Sequence, residues 1–201
     1  MLTRLKQQIQ ALLTSEAAFA HKIGLTPNAV SGLGIVLALL SALAYWSAEI
    51  NTLLLLPAIL LLLLSGFCDA LDGVLARLYG QTTVFGGFLD SLLDRYADAA
   101  ILVGIVLGGF ADFSWGFVAV IGSLLVSYAR ARAEAAGVKM ESVGIAERAE
   151  RVLILLVASL VALVWLGALW WSVVVLAFLT NITVLQRAVY FRRAVRKKIV
   201  V

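Results

Sequence analysis

Residues 53–79 read LLLLPAILLLLLSGFCDALDGVLARLY. The apolar run at the start of this stretch is followed by two aspartates, Asp69 and Asp72, before the segment ends at Gly80. A helix needs about 20 predominantly apolar residues to cross the hydrocarbon core of a bilayer. The stretch therefore predicts a membrane-spanning helix with two carboxylates near one of its ends.

The whole composition agrees with a membrane protein. Hydrophobic residues make up 63% of the 201 residues and charged residues only 14%, whereas a soluble domain carries about 25% charged residues. This excludes a soluble globular domain, so we expect a single all-α integral membrane domain over residues 1–201 with six transmembrane helices. The six hydrophobic stretches lie at about 28–47, 52–79, 84–109, 113–136, 146–166 and 171–191.

The two ends of the chain are predicted to differ from this six-helix bundle, which we place at 28–191. The N-terminal segment 1–22 is predicted to be an amphipathic helix lying in the membrane interface. Thr26 is the predicted N-cap of the first spanning helix and Pro27 its first residue. Residues 192–201 are predicted to form a basic tail. The apolar face of the interfacial helix would consist of Leu2, Leu5, Ile9, Leu12 and Leu13.

The basic residues predict the orientation of the chain. If the N-terminus is cytoplasmic, outer loops fall near 48–51, 110–112 and 167–170, and none of the 16 Lys and Arg residues lies in them. Cytoplasmic loops of membrane proteins carry the excess of Lys and Arg. We therefore expect a multi-pass protein of the cell membrane with both termini in the cytoplasm. The net charge of +4 then reflects topology and contact with anionic membrane lipid, not a nucleic-acid partner.

Five aspartates lie in the second and third hydrophobic stretches, where ionised groups are costly unless they are paired or coordinated. Asp69 and Asp72 are three residues apart, and Asp90, Asp94 and Asp98 are four apart, so each set lines one helical face. A short turn joins the two helices and would bring these faces together at the cytoplasmic end. Clustered carboxylates with little His or Cys nearby favour a hard cation such as Mg²⁺ or Mn²⁺.

Small residues surround these acids. Gly73 and Gly86 leave bare backbone that a bulky ligand could approach, and Arg77 could hold a phosphate oxygen beside the metal. This combination favours a pyrophosphate-containing ligand. Two other interpretations of an acidic cluster are a carboxylate-lined cation transporter and a purely structural membrane protein. Against a transporter, the carboxylates gather at one end and the outer halves of the helices are apolar.

The spacing of these residues resembles the motif of the CDP-alcohol phosphotransferase family without departure. The motif reads Asp69-x2-Asp72-Gly73-x2-Ala76-Arg77-x8-Gly86-x3-Asp90-x3-Asp94.

The resemblance implies a site and a reaction. Two metal ions would be bound by Asp69, Asp72, Asp90 and Asp94, and Asp94 would also be the catalytic base. Asp69 and Asp72 would also bind a CDP-lipid donor, together with three neighbours on the same two helices, and the enzyme would pass the lipid phosphate to an alcohol and release CMP. The resemblance also implies a homodimer and an active site on the cytoplasmic side. The neighbours are Gly73, Arg77 and Gly86.

A second basic set bears on the acceptor alcohol. Arg148, Arg151 and Arg187 lie within or against predicted helices and need anionic partners, which either Glu147 and Glu150 or a phosphate on the acceptor could supply.

The Glu-Arg-x-Glu-Arg pattern at 147–151 and Gln186-Arg187 resemble the inositol-phosphate-using branch of the family, the phosphatidylinositol and archaetidylinositol phosphate synthases. This implies that inositol 1-phosphate is the acceptor and that CDP-archaeol or CDP-diacylglycerol is the donor. Glycerol 3-phosphate is the alternative acceptor. Further candidates for contact with the acceptor phosphate are Arg130, Arg132 and Lys139, while Asp98 is expected to pair with Arg95 or with another helix.

Overall fold

The chain is all-α. The structure, a computed structural model, describes residues 13–140 and 142–199, and this part of the chain contains helices and no strand. The elements are α1 over 13–22, α2 Pro27–Ser47, a 3-10 turn Thr52–Leu54, α3 Leu55–Leu78, α4 Val84–Leu107, α5 Phe113–Ala135, α6 Arg148–Ala162 and α7 Gly167–Ile199. Each of the six predicted hydrophobic stretches is therefore helical.

Local sequence signals determine where the helices begin. The Thr26 side chain accepts a hydrogen bond from the Ala29 amide at 3.3 Å, and Pro27 is the first residue of α2, as predicted. The Thr83 hydroxyl caps α4 by accepting from the Gly86 amide at 2.9 Å. Between α3 and α4 the chain turns through Gly80, whose φ of +62° suits a residue without a side chain.

Helix α2 is the central element around which α3 and α4 are placed. It packs extensively against both, whereas α5 and α6 pack mainly against α7. The approach of α4 to α2 depends on Gly104, because a Cβ at this position would lie 2.8 Å from the Cα of Ala42. With α2 as the shared neighbour, α3 and α4 bring their acidic side chains close together.

A single large hydrophobic cluster joins the helices away from that site. Tyr45, Leu62, Ile105 and Leu169 are almost completely buried in it. The Tyr45 hydroxyl lies 2.6 Å from the Ser159 hydroxyl, so this buried polar group is hydrogen-bonded. The cluster therefore ties α2, α3, α4, α6 and α7 into one body.

Helix α1 packs against the end of the bundle that carries the acids. Leu13 and Ala17 are buried against residues of α2 and α3, among them Val30 and Leu75. The ring of His21 stacks on Tyr79 with their centroids 3.7 Å apart. Of the predicted interfacial helix, residues 1–12, including Leu2, Leu5, Ile9 and Leu12, lie outside the described residues.

Among the residues that the structure describes, four helical segments are long and apolar enough to cross a membrane: Pro27–Ser47, Thr52–Leu78, Phe113–Ala135 and Gly167–Arg196. Helix α4 is not among these four segments because it carries four charged residues, Asp90, Asp94, Arg95 and Asp98. Helix α6 is not among them because it has only 15 residues. The chain thus has the helices of a multi-pass membrane protein.

The predicted bounds at the C-terminal end differ from the structure. Residues 167–170 form the first turn of α7 rather than a loop, and α7 continues through the predicted basic tail to Ile199. The tail stays helical because Phe191, Ala194 and Val195 form an apolar stripe that packs against Ala133 and Met140. The side chains of Arg192, Arg193 and Arg196 are exposed on the other side of this helix.

Candidate active site

Three predicted metal ligands converge in the structure. Carboxylate oxygens of Asp69 on α3 and of Asp90 and Asp94 on α4 all lie within 4.8 Å of one another. Two ligands on opposite sides of one Mg²⁺ or Mn²⁺ ion lie about 4–5 Å apart, so the spacing suits a divalent cation. The ligand atoms are oxygens, which is the donor type that hard cations prefer. The residues present therefore fit the metal that the sequence predicts.

The fourth predicted ligand, Asp72, lies beside this cluster but is engaged elsewhere. It is 6% exposed and accepts a hydrogen bond of 2.5 Å from the Ser31 hydroxyl of α2. All four aspartates line one small acidic cavity, which Ser31 also lines. Sequence reasoning missed Ser31, although a polar residue inside an otherwise apolar helix was the available signal.

Arg148, the first residue of α6, supplies a positive charge to the acidic cluster. One of its guanidinium nitrogens, Nη1, contacts Asp69 and lies 2.9 Å from Asp94 Oδ1. Its Nε lies 3.6 Å from Asp98 Oδ1. The sequence predicted this arginine for the acceptor's phosphate, and in the structure it lines both the small acidic cavity and the larger charged cavity described below.

A cavity of about 160 Å³ opens beside the acids, and four of the five residues predicted for the CDP-lipid line it: Asp72, Gly73, Arg77 and Gly86. The fifth, Asp69, lines the small acidic cavity instead. A Cβ on Gly73 would lie 3.2 Å from Arg77 Nη1, and one on Gly86 would lie 3.1 Å from Asn28 Oδ1. Side chains at these two glycines would crowd the polar groups that face the cavity. Asn28 is a lining residue that sequence reasoning missed, because nothing but its place in the first turn of α2 distinguishes it.

A second cavity, of about 370 Å³, is lined by charged residues of both signs. Its acids are Asp90, Asp94, Asp98, Glu134 and Glu147. Its arginines are Arg95, Arg130, Arg148, Arg151 and Arg187.

Four of the predicted acceptor arginines therefore meet in one cavity, and two further basic candidates do not. Arg132 lines a largely apolar cavity with Tyr128, Met140 and Phe191, and Arg187 lies in the wall shared by this cavity and the charged one. Lys139 is exposed in the loop after α5 and lines neither the charged cavity nor the apolar one. Successive residues of a helix are about 100° apart, so Arg130 and Arg132 face different sides of α5.

Arg187 is held in place by the backbone of its neighbours. It is 2% exposed and donates to the carbonyl of Val143 at 2.8 Å and to that of Val126 at 2.6 Å. Its third nitrogen reaches Glu147 at 3.2 Å. These bonds hold the guanidinium at the wall of the charged cavity.

Arg151 is held in a similar way by α4. It donates to Asp98 Oδ2 at 2.5 Å and to the Ala146 carbonyl at 3.0 Å. The expectation that Asp98 pairs with another helix is thereby confirmed. The Nε atoms of Arg148 and Arg151 are buried without a hydrogen-bond partner among the described residues, so each retains a free donor.

Comparison with known proteins identifies the family. The family model described as CDP-alcohol phosphatidyltransferase matches residues 24–178. The archaetidylinositol phosphate synthase of Pyrococcus horikoshii is 40% identical over 187 residues, which cover 93% of this chain and 94% of that protein.

Solved structures agree with the sequence comparison. A crystal structure of Mycobacterium tuberculosis phosphatidylinositol phosphate synthase with CDP-DAG bound superposes with a TM-score of 0.78 at 29% identity, covering 90% of this chain and 94% of that one. A second structure of that protein, with manganese and citrate, gives a TM-score of 0.78 at 29% identity, and the match covers 89% of this chain and 88% of that one. The family model matches more than half of the chain, and Asp69, Asp90 and Asp94 of the motif at 69–94 form the acidic cluster. The chain therefore belongs to the CDP-alcohol phosphatidyltransferase family.

Proposed function

We propose that the chain transfers the lipid phosphate group of a CDP-lipid to inositol 1-phosphate and releases CMP. The observation that carries this proposal is the position of Asp90, which lines both the glycine-lined cavity and the arginine-lined cavity. A donor in the first cavity and an acceptor in the second would meet at the aspartates. Membership of the family favours this reaction over the cation-transporter alternative.

The acidic cluster would hold the divalent cations, Mg²⁺ or Mn²⁺ and two in number, through Asp69, Asp72, Asp90 and Asp94. Bound there, the ions would neutralise the pyrophosphate and stabilise the charge that develops on the departing CMP. The relative from Mycobacterium tuberculosis has been solved with manganese, which supports a metal of this kind.

The side chains account for the rest of the reaction. Arg77, Gly73 and Gly86 would bind the diphosphate of the donor in the 160 Å³ cavity. Asp94 would accept the proton of the acceptor hydroxyl, whose oxygen then bonds to the phosphorus attached to the lipid. The bond between that phosphorus and the oxygen of CMP breaks, and CMP leaves with the electron pair.

The acceptor assignment rests on the second cavity. Arg130, Arg148, Arg151 and Arg187 face one space, and guanidinium groups bind phosphate through paired hydrogen bonds. A phosphate-free alcohol would make no use of them. The Pyrococcus horikoshii relative is named for the synthesis of archaetidylinositol phosphate, which supports inositol 1-phosphate. The donor is CDP-archaeol or CDP-diacylglycerol, since apolar helix surfaces do not distinguish the two.

We further propose that all six of α2–α7 span the membrane, that α1 lies at its surface, and that both termini and the active site face the cytoplasm. The outward faces of α4 and α6 support this, because Val103 and Leu107 on α4 and Leu153 and Val157 on α6 are exposed as lipid-facing residues would be. A homodimer, which the family resemblance implies, belongs to the same proposal.

The experiment that tests the function is a transfer assay with a panel of acceptors. Purified protein would be incubated with CDP-archaeol or CDP-diacylglycerol, Mg²⁺ and labelled inositol 1-phosphate, glycerol 3-phosphate, inositol or serine. We expect label from inositol 1-phosphate alone to enter the organic phase, together with release of CMP. Equal use of free inositol or serine would refute the acceptor assignment, and preferential use of glycerol 3-phosphate would support the alternative acceptor.

A further inference from the structure

Arg148 belongs to two cavities at once. It lines the small acidic cavity with Asp69 and Asp94, and it lines the charged cavity of about 370 Å³ with the other arginines. Its Nη1 atom is engaged by the acids, while its Nε atom faces Asp98 and makes no hydrogen bond. A rotation of this long side chain could therefore exchange the acids for a ligand in the charged cavity.

The charges of the larger cavity explain why such an exchange matters. Its five arginines face five acids. A phosphate dianion would therefore enter a cavity whose lining carries equal numbers of positive and negative side chains. Arg130 pairs with Glu134 at 2.9 Å, Arg187 with Glu147 at 3.2 Å, and Arg151 with Asp98 at 2.5 Å. Arg148 differs from these three in that its partners include two candidate metal ligands.

We propose that Arg148 couples the metal site to the acceptor site. Its guanidinium neutralises Asp69 and Asp94 in the metal-free protein and turns to the phosphate of the acceptor when divalent cations take over those carboxylates. This inference rests on the proposed function for the identity of the two sites. Asp98, whose Oδ1 lies 3.6 Å from the Nε of Arg148, would remain a partner of Arg148 in both positions.

The proposal has a thermodynamic consequence. A cation that binds the carboxylates must displace Arg148, and a phosphate that binds Arg148 removes this competitor from the carboxylates. Each ligand therefore strengthens the binding of the other by the same factor, because coupling between two binding sites is reciprocal. Couplings of this type amount to about 5- to 150-fold.

The test measures Mn²⁺ binding by electron paramagnetic resonance on the purified protein, with and without inositol 1-phosphate and in the absence of CDP-lipid. In the wild type we expect the phosphate to tighten Mn²⁺ binding by about fivefold or more. Arg148→Gln removes the competing charge, so Mn²⁺ should bind about fivefold or more tightly even without phosphate, and phosphate should add little. Arg148→Lys keeps the charge but not the paired hydrogen-bond geometry, so its Mn²⁺ affinity without phosphate should lie between those of the wild type and Arg148→Gln.

Arg130→Gln is the matched control, since Arg130 lines the same cavity but pairs with Glu134 and not with a candidate metal ligand. Its Mn²⁺ affinity without phosphate should stay within about twofold of the wild type. The coupling role is refuted if Arg148→Gln binds Mn²⁺ no more tightly than the wild type. It is also refuted if inositol 1-phosphate raises the Mn²⁺ affinity of that variant by as large a factor as in the wild type. Mn²⁺ binding that is unaffected by Asp69→Asn would instead refute the metal site itself, and with it both proposals.

Discussion

Replacing Arg130 by alanine is the change that isolates binding of the acceptor from the stability of the fold. The Arg130 side chain is 41% exposed, and its partner Glu134 is 42% exposed one turn further along α5. An exposed pair of this spacing contributes only about 0.3–0.5 kcal/mol to stability. For a protein of this size, a loss of that order lowers the unfolding midpoint by no more than about 2 °C.

The expected effect on the acceptor is much larger. If Arg130 donates a hydrogen bond to the phosphate of inositol 1-phosphate, its removal costs about 1.5–3 kcal/mol of binding free energy. This corresponds to a rise of about 10- to 150-fold in KM for the acceptor. The KM for the CDP-lipid should change little, because Arg130 does not line the 160 Å³ cavity.

The assay is steady-state release of CMP, with one substrate varied at a saturating concentration of the other. Arg132→Ala is the matched control, because Arg132 is the same residue type two positions along α5 and lines the apolar cavity instead. We expect its KM for inositol 1-phosphate to equal that of the wild type. The assignment of the charged cavity to the acceptor would be refuted if Arg132→Ala raised this KM and Arg130→Ala did not.

Three further predictions concern the metal, the base and the buried arginine. Release of CMP should stop in EDTA and return with Mg²⁺ or Mn²⁺, because the clustered carboxylates require a cation; full activity in the chelator would contradict the metal site. Asp94→Asn should lower kcat by about 100-fold or more, because an amide cannot accept the proton of the acceptor hydroxyl, while the KM for the CDP-lipid stays nearly constant. A loss of kcat below tenfold would indicate that a different group is the base. Arg187→Lys should lower the unfolding midpoint in detergent, because the single nitrogen of a lysine cannot occupy both the Nε and the Nη1 positions from which Arg187 donates to the Val143 and Val126 carbonyls. Each buried group left unsatisfied costs about 1–3 kcal/mol, and an unchanged midpoint would show that these bonds do not support the fold.

The helices and the acidic cluster could be predicted from sequence because their signals are local. Apolar stretches of sufficient length predict helices in a membrane, and spacings of three and four residues place Asp69 with Asp72 and Asp90 with Asp94 on common faces. Predicting the turn through Gly80 needed only the short separation between two such stretches. Each of these inferences depends on residues that lie close together along the chain.

The features that sequence reasoning missed depend on contacts between distant residues. Nothing near Arg148 indicates that it contacts Asp69, and nothing near Ser31 indicates that its hydroxyl donates to Asp72. Helical periodicity separates Arg130 from Arg132 but cannot decide which of the two faces the cavity, since that depends on how α5 packs against α7. The end of α7 was mispredicted for a similar reason. Its many charges obscure, in the sequence, the apolar stripe that packs on the end of α5 and the loop after α5.

The position of Asp90 in the walls of both cavities has a consequence for the design of inhibitors. Since one carboxylate separates the two spaces, a cytidine diphosphate group and a phosphorylated polyol could be joined by a linker of only a few atoms and still occupy both. Short linkers give effective concentrations in the millimolar range, and joining two modest ligands can raise affinity by about 10²- to 10⁴-fold. Such a compound would need no acyl or ether chains, so it would bind this enzyme from water rather than from the bilayer.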